Sequence, residues 1–168
     1  MTAKPMNQFR VSLRILGAMT FLFMLSLTWT MVRAADEHAH DAAHGKLMLN
    51  DGQKWATDAP LRLAMSRISK ALGARLPAIH ADKLGAADYV AQGKSIDGDV
   101  AYMVNNCKLP RNADAMLHLV LADIIAGSDA MQGKLPGTSA RAGAVKVVQA
   151  LDSYGKYFDH PGWQKLEH

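Results

Sequence analysis

The sequence predicts an all-α protein, an up-down-up-down four-helix bundle behind a cleaved signal peptide. Three observations predict it. Apolar residues recur at alternating three- and four-residue steps in four segments of about 20 residues each. Short breakers containing Pro or Gly separate these segments, and short connectors favour antiparallel neighbours. The alternating runs of Val, Ile and Thr that would mark strands are absent.

The first element is an export signal over residues 1–34. Lys4, Arg10 and Arg14 precede an apolar run over 15–32, and Val32 and Ala34 stand at −3 and −1 of a cut after Ala34. A retained membrane anchor is the competing reading, because the run approaches the roughly 18 residues that suggest a span. The charged start and the small-residue cut favour removal. The signal is of bacterial type, so the expected compartment is the periplasm, with no membrane association after cleavage. Removal also changes the charge. The whole chain carries +4, but the first 34 residues hold four of the 19 Lys and Arg and none of the 15 acids. The remainder is balanced, 15 against 15, and has no basic stripe for nucleic acid.

A His-bearing flexible lead follows over 35–56. Leu47, Leu49 and Trp55 within it are expected to lie across one end of the bundle. The bundle itself spans 57–160, and 161–168 form a C-terminal tail. In the first helix, Thr57 or Asp58 caps and Pro60 suits an early position whose N–H needs no partner. Leu61, Met65, Ile68, Leu72 and Leu76 make one stripe, with Pro77 at its end. The second helix covers 86–106, with Tyr89, Gly93, Ile96, Val100, Met103 and Cys107 on its stripe. Gly93 and Gly98 weaken it by about 1 kcal/mol each relative to Ala. The third covers 112–132 and is expected to be the most buried, since Met116, Leu121 and Ile125 widen the stripe of Leu117, Val120, Ile124 and Met131. Thr138 or Ser139 caps the fourth. Its inner face is Ala144, Val147, Val148, Leu151, Tyr154 and Phe158, and Pro161-Gly162 stops it.

Three places can carry chemistry. The stretch VNNCKLPRNADAMLH, residues 104–118, contains the single cysteine. In a hairpin turning near Leu109 and Pro110, Met103 and Met116 stand at similar heights, and Cys107 is one turn from Met103. Thiolate and thioethers, with the imidazole of His118, suit a soft ion such as Cu(I). The plainer reading is preferred here: Met fills irregular cores, Cys is among the most buried residue types, and His118 points to a flank or to water. One cysteine in an exported chain makes no internal disulfide, so it is buried, bound, or paired with a second copy in a homodimer.

The second place is ADEHAHDAAHG. His38, His40 and His44 lie within seven residues, among Asp36, Glu37 and Asp41. Such a tract takes up Cu(II), Ni(II) or Zn(II) through neutral imidazole. A cut after Ala35 instead would set His38 third and allow a square-planar Cu(II) or Ni(II) site from the free amine, two amides and the imidazole, although Arg33 at −3 favours the cut after Ala34. The competing reading is a polar linker.

The third place is assigned to the far end of the bundle, where the start of the first helix meets the end of the fourth. Met65 lies in the second turn of the first helix and His160 at the end of the fourth. In these two residues and the four helices the chain resembles the periplasmic cytochrome b562 and cytochrome c′ bundles. The resemblance implies haem b held between Met65 and His160 as axial ligands, a pairing that raises the reduction potential. No CxxCH occurs, which excludes covalent c-type attachment. His160 also precedes Pro161, where helical backbone is disfavoured. Without haem, Met65 packs in the core and His160 is a solvated helix-end residue.

Catalysis is not expected. Asp97, Asp99, Asp114, Asp123 and Asp129 are scattered. The only glutamates are Glu37 and Glu167, so no Glu-x-x-His pair supports a di-iron centre. The leading expectation is a non-enzymatic metal-binding or metal-handling protein using His38, His40 and His44, with Cys107, Met103 and Met116 as a softer second set. The alternatives are a b-type electron carrier and a cofactor-free helical interaction module.

Overall fold

Local sequence explains several of the helix boundaries. The computed structural model describes residues 45–167. The export signal, its cut, and His38, His40 and His44 lie outside the described residues. Among the described residues the regular structure is helical, with two isolated bridges and no strand. None of these helices is long and apolar enough to cross a membrane.

Helix α1 spans Ala59–Gly73. Asp58 caps it, with Oδ1 accepting the Leu61 N–H at 2.9 Å, and Pro60 sits in the first turn. Leu61, Met65, Ile68 and Leu72 are fully buried or nearly so. The stripe was expected to run in one helix to Leu76, but the backbone breaks at Ala74 and Arg75. A separate short helix, α2, spans Leu76–His80 with Pro77 in its first turn. Proline cannot donate to a preceding carbonyl, yet it fits the opening of a new helix. Pro77 therefore starts an element rather than ending one.

Helix α3 spans Ala86–Asn106, α4 spans Arg111–Met131, and α5 spans Ala140–Tyr157. Ser139 Oγ caps α5 by accepting the Ala142 N–H at 3.1 Å. Most residues of the expected inner faces are buried, but Cys107 and Met116 are half-buried, and two further residues are exposed. Ile125 is 41% exposed and Leu49 in the lead is 39% exposed. Leu47 and Trp55 do pack against the core. Helix α5 also stops earlier than Pro161 suggested. Phe158 leaves it in extended conformation, and Trp55 of the lead pairs with that stretch. Trp55 N–H donates to Tyr157 C=O and Asp159 N–H donates to Trp55 C=O, both at 2.8 Å. These two bonds satisfy backbone groups that a longer helix would have used internally.

Side-chain contacts tie the long helices to one another. The start of α3 lies by the end of α4, where Ser128 Oγ donates to Gly93 C=O at 2.9 Å. Helices α4 and α5 approach backbone to backbone: a Cβ on Gly143 would sit 2.5 Å from Gly127 O. Arg67 of α1 pairs with Asp99 of α3 at 3.7 Å, and Ser66 of α1 reaches His160 beyond α5.

Candidate functional site

Helix capping creates the first part of the site. Asp58 is at the mouth of α1 because its carboxylate satisfies an orphan N–H there. Its second oxygen, Oδ2, accepts the Lys108 N–H at 2.7 Å, from the turn that joins α3 to α4. The Cys107 thiol, one residue earlier, is close enough to the Asp58 carboxylate for its proton affinity to be raised by it. One carboxylate thus joins the start of α1 to the end of α3.

The second part comes from the way α5 ends. His160-Pro161-Gly162-Trp163 forms a turn closed by Trp163 N–H donating to His160 C=O at 3.0 Å, with Gly162 at φ +78. Pro at the second position and a positive-φ Gly at the third are what a type II turn requires. The turn folds the His160 ring back over the helix end. Its Nδ1 is 3.0 Å from the Tyr154 hydroxyl and its Nε2 is 3.3 Å from the Ser66 hydroxyl. Tyr154 and Trp163 flank it, with ring centroids at 5.7 and 5.0 Å. Arg62 ties down the neighbouring chain: its Nη1 donates to Thr57 C=O at 2.6 Å, and Thr57 Oγ1 donates to Asp159 C=O at 2.5 Å.

These contacts set the proton affinities. Burial, helped by the Arg62 charge, lowers the His160 imidazole below its ordinary value, so the neutral ring is favoured. Burial, then the Asp58 carboxylate, then Asp114, push the Cys107 thiol up to about 11. At neutral pH it is a protonated thiol, not a ready nucleophile. Burial raises the Tyr154 hydroxyl well above the usual phenol range.

The two soft-donor sites assigned to opposite ends share one end. The start of α1, the turn between α3 and α4 and the stretch after α5 meet, through Asp58 with Lys108 and Thr57 with Asp159, so Cys107 and His160 are neighbours across Asp58 and Tyr154. Met65 and Met103 are buried in the core, Met116 is half-buried, and Cys107 is half-buried at the C-cap of α3. His160 sits three residues past the end of α5, not in it. Both of its nitrogens face hydroxyls, and an axial bond to iron would displace one of them. His118 is apart from this group. Its side chain is 61% exposed, its Nδ1 bonds Asp114 C=O at 2.9 Å, and the Asp114 carboxylate is 3.6 Å away. Among the described residues no three His, Cys, Asp or Glu converge to hold a metal ion.

Sequence reasoning saw Asp58 only as a cap and Tyr154 only as a core residue, and it passed over Ser66 and Trp163. The D-x-P start of α1 and the HPGW turn were visible, but their partners are 50 and 94 residues away along the chain. No known protein family, no curated protein and no solved structure matches this chain.

Proposed function

We propose that this chain is an exported, periplasmic, non-enzymatic metal-handling protein, built as an up-down-up-down four-helix bundle. The observation that carries this reading is the gathering of Cys107, Met103, Met116, Met65 and His160 toward one end of the helical body. The described part of the lead, which follows His38, His40 and His44 in sequence, docks at that same end through Trp55. Imidazoles suit Cu(II), Ni(II) or Zn(II), and the sulfur set suits Cu(I). The antiparallel helix pairs support the bundle topology. The raised thiol supports a non-catalytic role, because a protonated sulfur is a poor nucleophile; a soft metal would bind it by displacing that proton.

The test is titration of the full mature chain with Cu(I), Cu(II), Ni(II) and Zn(II), with elemental analysis of protein purified from the exported fraction. Replacement of His38, His40 and His44 by Ala should abolish stoichiometric Cu(II) or Ni(II) binding. Cys107→Ser should abolish Cu(I) binding. If no metal binds, or binding is indifferent to both changes, the assignment is wrong. A Soret band lost in His160→Ala would transfer the assignment to a b-type electron carrier.

One observation favours a second reading, a cofactor-free helical interaction module. Both nitrogens of His160 and both oxygens of Asp58 already have partners inside the fold. A metal-free, colourless protein that co-purifies with a stoichiometric partner protein would support that reading.

A further inference from the structure

Helix α1 carries two hydroxyls and an ammonium on one ridge. Ser69 and Lys70 follow Ser66 by three and four residues, the spacing that sets side chains on one helix face. Between this ridge and the tail, residues 161–167, is an open groove of about 550 Å³. That volume suits a small organic ligand. The tail is seated by two side chains, Trp163 against Gly155 of α5 and Leu166 over Gly73 at the end of α1. Leu166 and Leu76 of α2 give the groove an apolar wall beside the polar ridge.

Hydrogen bonding beneath the ridge fixes which way its protons point. Tyr154 is fully buried, and among the described residues its hydroxyl has one partner, His160 Nδ1 at 3.0 Å. A buried O–H without an acceptor is costly, so Tyr154 donates and Nδ1 accepts. The neutral ring then carries its proton on Nε2, and Nε2–H donates to Ser66 Oγ at 3.3 Å. The Ser66 hydroxyl proton has no acceptor among the described residues and is left for the groove. Ser69 supplies a second, independent donor. It is only 9% exposed, lines the groove, and makes no hydrogen bond among the described residues. A helix serine often returns its hydroxyl to the carbonyl four residues back, and Ser69 does not. Lys70 makes no ion pair among the described residues, whereas Lys165, also at the groove, is 3.3 Å from Asp152.

We propose that this groove binds a small organic acid, a monocarboxylate with a hydrocarbon body, its carboxylate held by Ser66, Ser69 and Lys70 and its body set against Leu76 and Leu166. Two hydroxyl protons and one ammonium without internal partners form a donor set, and donors facing a charged acceptor make the stronger hydrogen bonds. The apolar wall selects a carboxylate with a hydrocarbon body over free phosphate, which would leave that wall unused. Glu167 also lines the groove and opposes an anion, so it tunes affinity downward. The site uses neither the sulfur residues nor the histidine tract, and it stands or falls separately from metal binding.

The test is titration of the full chain with octanoate, followed through backbone amide shifts. Saturable binding with Kd below about 1 mM is expected, with the largest shifts along Ser66, Ser69 and Lys70. Ser69→Ala removes one charge-assisted bond and leaves a good helix former, so it should weaken binding at least about tenfold in a folded protein. Lys70→Met should weaken it at least about threefold, and Glu167→Gln should tighten it. Octanamide keeps the hydrocarbon and lacks the charge, and should bind at least about tenfold more weakly than octanoate. Absence of saturable binding, equal binding of octanamide, or an affinity indifferent to both Ser69→Ala and Lys70→Met overturns the proposal. Inorganic phosphate binding as tightly as octanoate also overturns it, in favour of a free oxyanion. Nitrogen NMR of the His160 ring reads the proton order directly: Nε2–H is expected, and a proton on Nδ1 would remove the Ser66 donor and overturn the arrangement.

Discussion

Two of the seams of helix α5 use glycine for opposite purposes. Toward α4, Gly127 and Gly143 let two helix backbones touch, with a Cβ on either one within 2.7 Å of the other's carbonyl oxygen. Toward α1, Gly155 and Gly73 leave notches that side chains of the tail fill. A backbone packed against a backbone cannot yield without moving a whole helix. An indole or leucine on an extended tail can withdraw. The same residue type thus admits a backbone at one seam and side chains of the tail at the other.

Substitutions to alanine should separate the two seams, and this is the largest expected effect. Gly143→Ala should cost about 2–3 kcal/mol of unfolding free energy, because overpacking against backbone outweighs the roughly 1 kcal/mol gained in helix propensity. Gly155→Ala should change stability by less than about 1 kcal/mol, since Trp163 can leave and the propensity gain offsets the lost contact. Denaturant unfolding of both variants checks the pair. Equal losses would erase the contrast between the seams.

Next in size is Asp58→Ala, which strips the cap from α1 and the acceptor from Lys108 N–H. A loss of about 2 kcal/mol is expected from a missing cap plus an unpaired amide. The same variant should raise the alkylation rate of Cys107 in the folded protein, because the Asp58 carboxylate no longer holds the thiol protonated. A cap loss without faster alkylation would mean that Asp58 does not govern the thiol.

The thiol gives a smaller, pH-dependent effect at the same end of the molecule. Its folded value, about 11, is above its ordinary 9.0, so folding favours the protonated form. That contribution is complete below pH 9 and is lost as pH rises toward 11. For a half-exposed group it is on the order of 1 kcal/mol. Thermal melts from pH 8 to 11 should show a slope that Cys107→Ser lacks.

The smallest effect lies where α3 meets the end of α4. Burial opposes the Asp97 charge. Ser128 Oγ at 2.6 Å, Gln132 Nε2 at 2.8 Å and Lys134 Nζ at 3.4 Å outweigh it and hold the carboxyl below its ordinary value. This stabilisation is present above the unfolded value and is lost as pH falls through the folded one. Asp97→Asn should flatten the melting profile below about pH 4 by less than about 1 kcal/mol. An acid slope unchanged in the variant would assign it to other carboxylates.

The helices were legible because their signals are local. A cap needs its partner three residues away, as Asp58 has Leu61 and Ser139 has Ala142, and an apolar stripe repeats within a single segment. The sequence by itself therefore determined the four long helices, their inner faces, and an all-α protein among the residues described. The break before Pro77 and the early end of α5 at Tyr157 were harder to read, because the second depends on Trp55, which is a hundred residues away in the chain and supplies the alternative backbone partners.

Tertiary structure alone decided the rest. Gly93 reads in sequence as a weak point of α3, yet it makes room for Ser128 and Gln132 of α4. His160 reads as a helix-end histidine, yet Tyr154 and Ser66 hold both of its nitrogens. Cys107 and the Met65–His160 pair read as two sites, and Asp58 makes them one neighbourhood. A side chain's rotamer and spacing are properties of its own segment. Its partners belong to whichever helix packing places opposite, and that choice is made by the whole core at once.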